Sequence, residues 1–168
     1  MKITNDYTTR ASADFWIGEY WKNVDFDLPD TLPIAGQILR DWAGIPLTVT
    51  NTYPDGQSFG YHRLMKATDW VASEEEKRQN LIAKYEQELL NYINGQGSEL
   101  IEKLRQAGIT GFGYESMCIH LDVRPVPFDP VYNAYSNHKD QYGDYTCFAF
   151  SCHWNTEGKI IIDVDKAI

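Results

Sequence analysis

Helical periodicity in this chain stops at Gly108 and does not return, and that confines the fold more than any other feature. Upstream, "LPDTLPIAGQILRDWAG" places Leu32, Ala35, Ile38, Leu39 and Trp42 on one helical face. Asp30 or Thr31 can cap that helix, Pro33 suits its first turn and Gly44 its end. A second helix is expected from Ser73, which with Glu76 forms a capping box ahead of Leu81, Ile82, Tyr85, Leu89 and Ile93. Gly95 and Gly97 interrupt it, Ser98 restarts a helix with Leu100, Ile101 and Leu104 inward, and Gly108 closes it.

The strand signals come as separate short runs. "IPLTVTNTY" is β-branched and runs into Pro54-Asp55-Gly56, and after Gly108 follow "GITGFGYE", "CIHLDVRP", "YTCFAFSCHW" and "KIIIDVD". With "ATDWV" this predicts strands near residues 47, 67, 112, 120, 148 and 161, with the helices of residues 73–107 packed on one side. Helices in the first two thirds and strands in the last third favour an α+β fold on a mainly antiparallel sheet. At 168 residues, with 43% apolar residues and no linker composition or repeat, the expectation is one domain over residues 1–168.

Composition excludes several classes. A formal charge of −9 argues against nucleic acid, because phosphate binding draws on clustered Lys and Arg. The nearest basic groupings, Lys77-Arg78 and Lys103-Arg105, lie among Glu residues on expected helices. No apolar run reaches the roughly 18 residues that span a bilayer, and the N-terminus has polar groups where a signal peptide is apolar. Cytoplasmic residence is therefore the default expectation. The three cysteines read as small apolar residues; Cys147 and Cys152 are the only plausible pair, and a reducing compartment keeps them as thiols.

Four histidines occur, at 62, 120, 138 and 153, and His138 and His153 read as structural hydrogen-bonding groups. His62 and Asp69 are seven positions apart. In one strand they would lie roughly 23 Å apart, and on one helix roughly 10 Å along the axis. Both are too far for a shared metal, whose bonds are about 2 Å. The chain would have to fold back between them, with "RLMK" as the bend and "ATDWV" as the returning strand. His120 supplies a third donor, because "CIHLDVR" alternates and puts Cys118, His120 and Asp122 on one strand face. Two His and one Asp suit a zinc that keeps a fourth position for water.

"SFGYHRLMKATDW", followed about fifty residues later by "GITGFGYESMCIHLDVRP", resembles the zinc D-Ala-D-Ala carboxypeptidase family, which includes peptidoglycan endopeptidases, and in particular its small single-domain branch. The resemblance covers residues 14–125 and leaves 126–168 as a strand-rich C-terminal extension. It implies a fold shared with the hedgehog signalling domain, zinc held by His62, Asp69 and His120, and a peptidoglycan peptide as substrate. Glu115 or Asp122 would be the general base, Asp122 alternatively supporting a ligand, and Arg124 would meet the peptide's carboxylate.

Four positions depart from the family pattern: Gly60 stands for a Ser, Met65 for a Gly, Met117 for the usual Glu or Asp base, and "NTYPDG" for a strand ending in a substrate-binding arginine. Two rivals follow: a degenerate member that keeps the metal without chemistry, and a metal-free fold relative used for protein contacts. Without an export signal, such a peptidase would reach the wall after release, in the manner of a phage-type protein.

Overall fold

A computed structural model describes residues 1–52, 66–115, 117–124 and 149–165. The chain is α+β. Its main sheet has six strands in the order β10-β9-β7-β8-β6-β5, and every neighbouring pair is antiparallel. The strands are β5 (Leu47–Asn51), β6 (Ala67–Ala72), β7 (Gly111–Tyr114), β8 (Ile119–Asp122), β9 (Phe150–Trp154) and β10 (Ile160–Asp165). All six expected strands are present. β9 sits beside β7 inside the sheet, so the extension beyond the family resemblance contributes to the same sheet as the motif strands.

The helices are α1 (Ile17–Tyr20), α2 (Thr31–Ala43), α3 (Arg78–Ile93) and α4 (Glu99–Ala107). α2 ends as expected at Gly44, whose φ of 66° lets its N–H reach the Arg40 carbonyl at 3.1 Å. α4 opens at Ser98, whose Oγ accepts from the Ile101 N–H at 3.2 Å. The capping box expected at Ser73 does not form. Ser73 still belongs to the strand pairing, with its N–H on the Pro46 carbonyl and its Oγ 2.8 Å from Thr48 Oγ1. The helix starts later, through a 3₁₀ turn at Glu75–Lys77.

Residues 1–27 hold two small antiparallel pairs that no sequence signal announced: β1 (Lys2–Ile3) with β4 (Phe26–Asp27), and β2 (Arg10–Ser12) with β3 (Phe15–Trp16). Among the described residues, no helix is long and apolar enough to cross a membrane.

Register divides the sheet into two unlike faces. Trp70, Phe112, Tyr114, Ile119, Leu121, Cys152 and Trp154 alternate onto one face and belong to the buried core. The helices pack there: Tyr85 of α3 meets Tyr114 edge-on at 6.3 Å, and Tyr92 meets Trp154 at 5.6 Å. Gly36 lets α2 approach, since a Cβ there would come within 2.6 Å of the Tyr20 hydroxyl and 2.9 Å of Trp70 Nε1. The opposite face carries Asp69, Gly111, Gly113, His120, Asp122, Ser151 and His153. The repeat "GFGY" thus sends two aromatics into the core and two glycines to the polar face.

Candidate metal centre

Three adjacent strands bring Asp69, His120 and Asp122 together. β6 and β8 pair with Asp69 opposite His120 and Ala67 opposite Asp122, while β7 sets Gly113 opposite His120 and Gly111 opposite Asp122. His120 is fully buried, and both of its ring nitrogens meet carboxylates. Nδ1 lies 2.8 Å from Asp69 Oδ1, and Nε2 lies 2.8 Å from Asp122 Oδ2. The face argument for His120 and Asp122 holds, and "ATDWV" is a strand, antiparallel to β5. His62, most of the expected bend and the Pro54-Asp55-Gly56 turn lie outside the described residues.

The contacts continue away from Asp69. Asp122 takes a fork of hydrogen bonds from Arg124, with Nε donating to Oδ1 at 2.7 Å and Nη2 to Oδ2 at 2.8 Å. Arg124 Nη1 donates to Asp163 Oδ2 at 2.9 Å, and the same oxygen lies 3.0 Å from His153 Nδ1. Asp69, His120, Asp122, Arg124, Asp163 and His153 therefore form one chain of contacts across the sheet. His153 is hydrogen-bonded, as expected for a structural histidine; its partner, Asp163, gave no signal in the sequence.

Burial alone would lower the pKa of His120. The hydrogen bonds and charges of Asp122 and Asp69 outweigh that and raise it to about 9. At neutral pH the ring is then an imidazolium that donates to both carboxylates. Burial also opposes ionisation of Asp122, but the charge and hydrogen bonds of Arg124, then those of His120, hold its carboxyl well below the usual range.

These contacts define the surroundings of two expected site residues. Asp122 is fully buried and engaged by His120 and Arg124. Arg124 is 1% exposed and bound to Asp122 and Asp163, so its charge is met inside the protein and is not presented to a peptide carboxylate.

Glu115 stands differently. It is half-buried at the end of β7, where its N–H donates to the Cys118 carbonyl at 2.9 Å and closes the hairpin into β8. Strand alternation continues Gly111 and Gly113 to Glu115, on the polar face. Burial first, then the charges of Asp69 and Glu115, push the Cys118 thiol up to about 12. Cys118 and Cys152 are free thiols; Cys147 lies outside the described residues.

Asp69 and His120 are an oxygen and a nitrogen donor joined here by a hydrogen bond of 2.8 Å. Among the described residues, no set of three His, Cys, Asp or Glu groups converges as a metal site. Charge bears on the fit as well. The contact chain holds three carboxylates and one guanidinium, so with both imidazoles neutral it carries two negative charges in the interior. A divalent cation or two imidazoliums would balance them. Asp69 and His120 are donors of the kinds zinc takes, and a third ligand is not among the described residues. No protein-family model, curated protein or solved structure matches the chain.

Proposed function

We propose that the chain is a zinc-dependent peptidase acting on peptidoglycan peptides, of the D-Ala-D-Ala carboxypeptidase and endopeptidase kind, with the fold those enzymes share with the hedgehog domain. The observation that carries this is the Asp69–His120 pair, with Asp122 on the far ring nitrogen of His120. A carboxylate behind a ligating histidine fixes its tautomer and ring plane and strengthens it as a donor. Asp69 and His120 would hold the zinc with His62 as third ligand; bound there, zinc would polarise a scissile carbonyl and activate a water. Glu115, next along the chain from β7, would take and return the proton.

One observation favours a second reading. Arg124 is engaged internally and Met117 stands where the family has its base, which suits a degenerate member that keeps the metal without hydrolysis. Metal analysis of the purified chain, followed by muropeptides incubated with wild type, His120→Ala, Glu115→Gln and Asp122→Asn, separates the two. The peptidase reading expects about one zinc per chain, cleavage by wild type, and loss of cleavage with retained zinc in Glu115→Gln. A fully metallated wild type that cleaves nothing across several wall chemistries refutes it in favour of the binding domain.

A further inference from the structure

The far end of the contact chain lies on β10, an edge strand of the sheet, where Asp163 occupies an irregularity in the pairing. Ile161 and Ile162 pair in order with His153 and Cys152, but the next pair is Val164 with Ser151, so Asp163 is the extra residue of a β-bulge. Bulges re-aim side chains beside functional sites. Here the side chain is 4% exposed, although β10 exposes Ile161 and Ile162 at 40% and 48%. An edge strand that leaves two isoleucines in water while burying an aspartate is arranged for that carboxylate.

We propose that Asp163 is a positioning residue for the metal centre: from the bulge it fixes Arg124, which fixes Asp122, which sets the ring orientation and donor strength of His120. The inference rests on the metal-centre reading above. The link is stereochemical. Arg124 is planar and its donors are rigidly spaced, so Asp163 on Nη1 sets the plane in which Nε and Nη2 meet Asp122. Asp122 Oδ2 then serves two donors at once, Arg124 Nη2 and His120 Nε2, both at 2.8 Å. Turning the guanidinium must move that oxygen, and so its bond to His120. The C-terminal hairpin β9–β10 would on this account be part of the site.

Asp163→Asn keeps the shape and removes the charge, and Glu157→Gln, at a 70% exposed side chain in the same hairpin, is the control. Two readouts go beyond stability. One is zinc affinity, with the visible spectrum of the cobalt(II)-substituted chain; the other is the ¹⁵N chemical shifts of the His120 ring in chelator. The expected result is zinc affinity weakened about tenfold, an altered cobalt spectrum and shifted ring nitrogens in Asp163→Asn, with none of these in Glu157→Gln. If Asp163→Asn does not fold, His153→Gln disturbs the same carboxylate more gently and is read identically. A lowered melting temperature with unchanged zinc affinity, cobalt spectrum and ring shifts makes Asp163 merely structural and overturns the proposal. If wild type binds no divalent metal, the peptidase reading fails, and the His120 ring shifts alone decide whether Asp163 positions that ring.

Discussion

Gly111→Ala is the most searching test of the polar face, because it adds one methyl group and replaces no charged residue. The backbone at Gly111 is not in the left-handed region, so alanine meets no conformational penalty there. In an uncrowded strand this exchange stabilises by about 0.4–1 kcal/mol, through the unfolded chain. Here a Cβ would overlap the Asp122 carboxylate. That carboxylate accepts two bonds from the Arg124 side chain and one from its backbone N–H, at 2.7, 2.8 and 3.2 Å, and meets His120 at 2.8 Å. Breaking a buried ion pair costs about 3–5 kcal/mol. Allowing for the backbone gain and some relaxation, the net loss is about 3 kcal/mol, out of the 5–15 kcal/mol usual for a whole domain. Urea unfolding in chelator, followed by tryptophan fluorescence, measures it. A double-mutant cycle tests the cause: with Asp122→Ala already present there is no carboxylate to strike, so Gly111→Ala should then be neutral or mildly stabilising. A single mutant within about 0.5 kcal/mol of wild type, or strict additivity in the cycle, refutes the reasoning.

The raised His120 pKa predicts pH-dependent stability in chelator. A group whose pKa rises from 6.5 to about 9 on folding gives its full contribution below 6.5 and loses it as pH rises through 9, about 3 kcal/mol in all; calorimetry should show a wild-type melting temperature well below its pH 6 value at pH 10, and a drop of the same size in His120→Gln would argue against this ring. Zinc binding at pH 7.5 should release about one proton, since an imidazolium must lose its proton to ligate; titration calorimetry in two buffers of different ionisation enthalpy reads this directly, and equal heats would count against His120 as ligand. Gly36→Ala should cost about 1–3 kcal/mol by forcing α2 off Tyr20 and Trp70, checked by urea unfolding, whereas an unchanged midpoint would mean that the helix shifts freely.

The sheet was legible because its strands are short runs with a period of two, and period two is what a sheet with unlike faces imposes. "CIHLDVR" could be assigned a polar face before any partner strand was known. The start of α3 was not legible: Ser73 and Glu76 have the right spacing, but Ser73 is drawn back to Thr48 and Pro46 by strand pairing, and tertiary contacts override a local cap. β1 to β4 are only two or three residues each, too short to carry a period. Asp163 was out of reach for a different reason. Its inward aim depends on a one-residue irregularity between β9 and β10, and no sequence pattern marks which residue of "IIIDVD" becomes the bulge. The internal role of Arg124 was hidden by the same step, since a buried arginine is recognised by its second carboxylate, and that carboxylate lies 39 residues further on.

The same carboxylates that would favour zinc also favour its competitor. Asp69 and Asp122 hold a proton on His120 about 300-fold more tightly than water does, from the rise between pKa 6.5 and about 9. A metal arriving at neutral pH must displace that proton, so its apparent affinity is lowered by the same factor of about 30 that separates pH 7.5 from pKa 9. Against this, Arg124 already neutralises one negative charge of Asp122 and Asp163 through fixed hydrogen bonds. The histidine is thereby set in place before any ion arrives. A ligand held in position avoids the entropy of ordering a free side chain. Preorganisation and proton competition therefore act in opposite directions on the same ring, and pH decides the balance: acid conditions favour the proton, while above about pH 9 most of His120 is free of it with Asp122 and Arg124 still in contact.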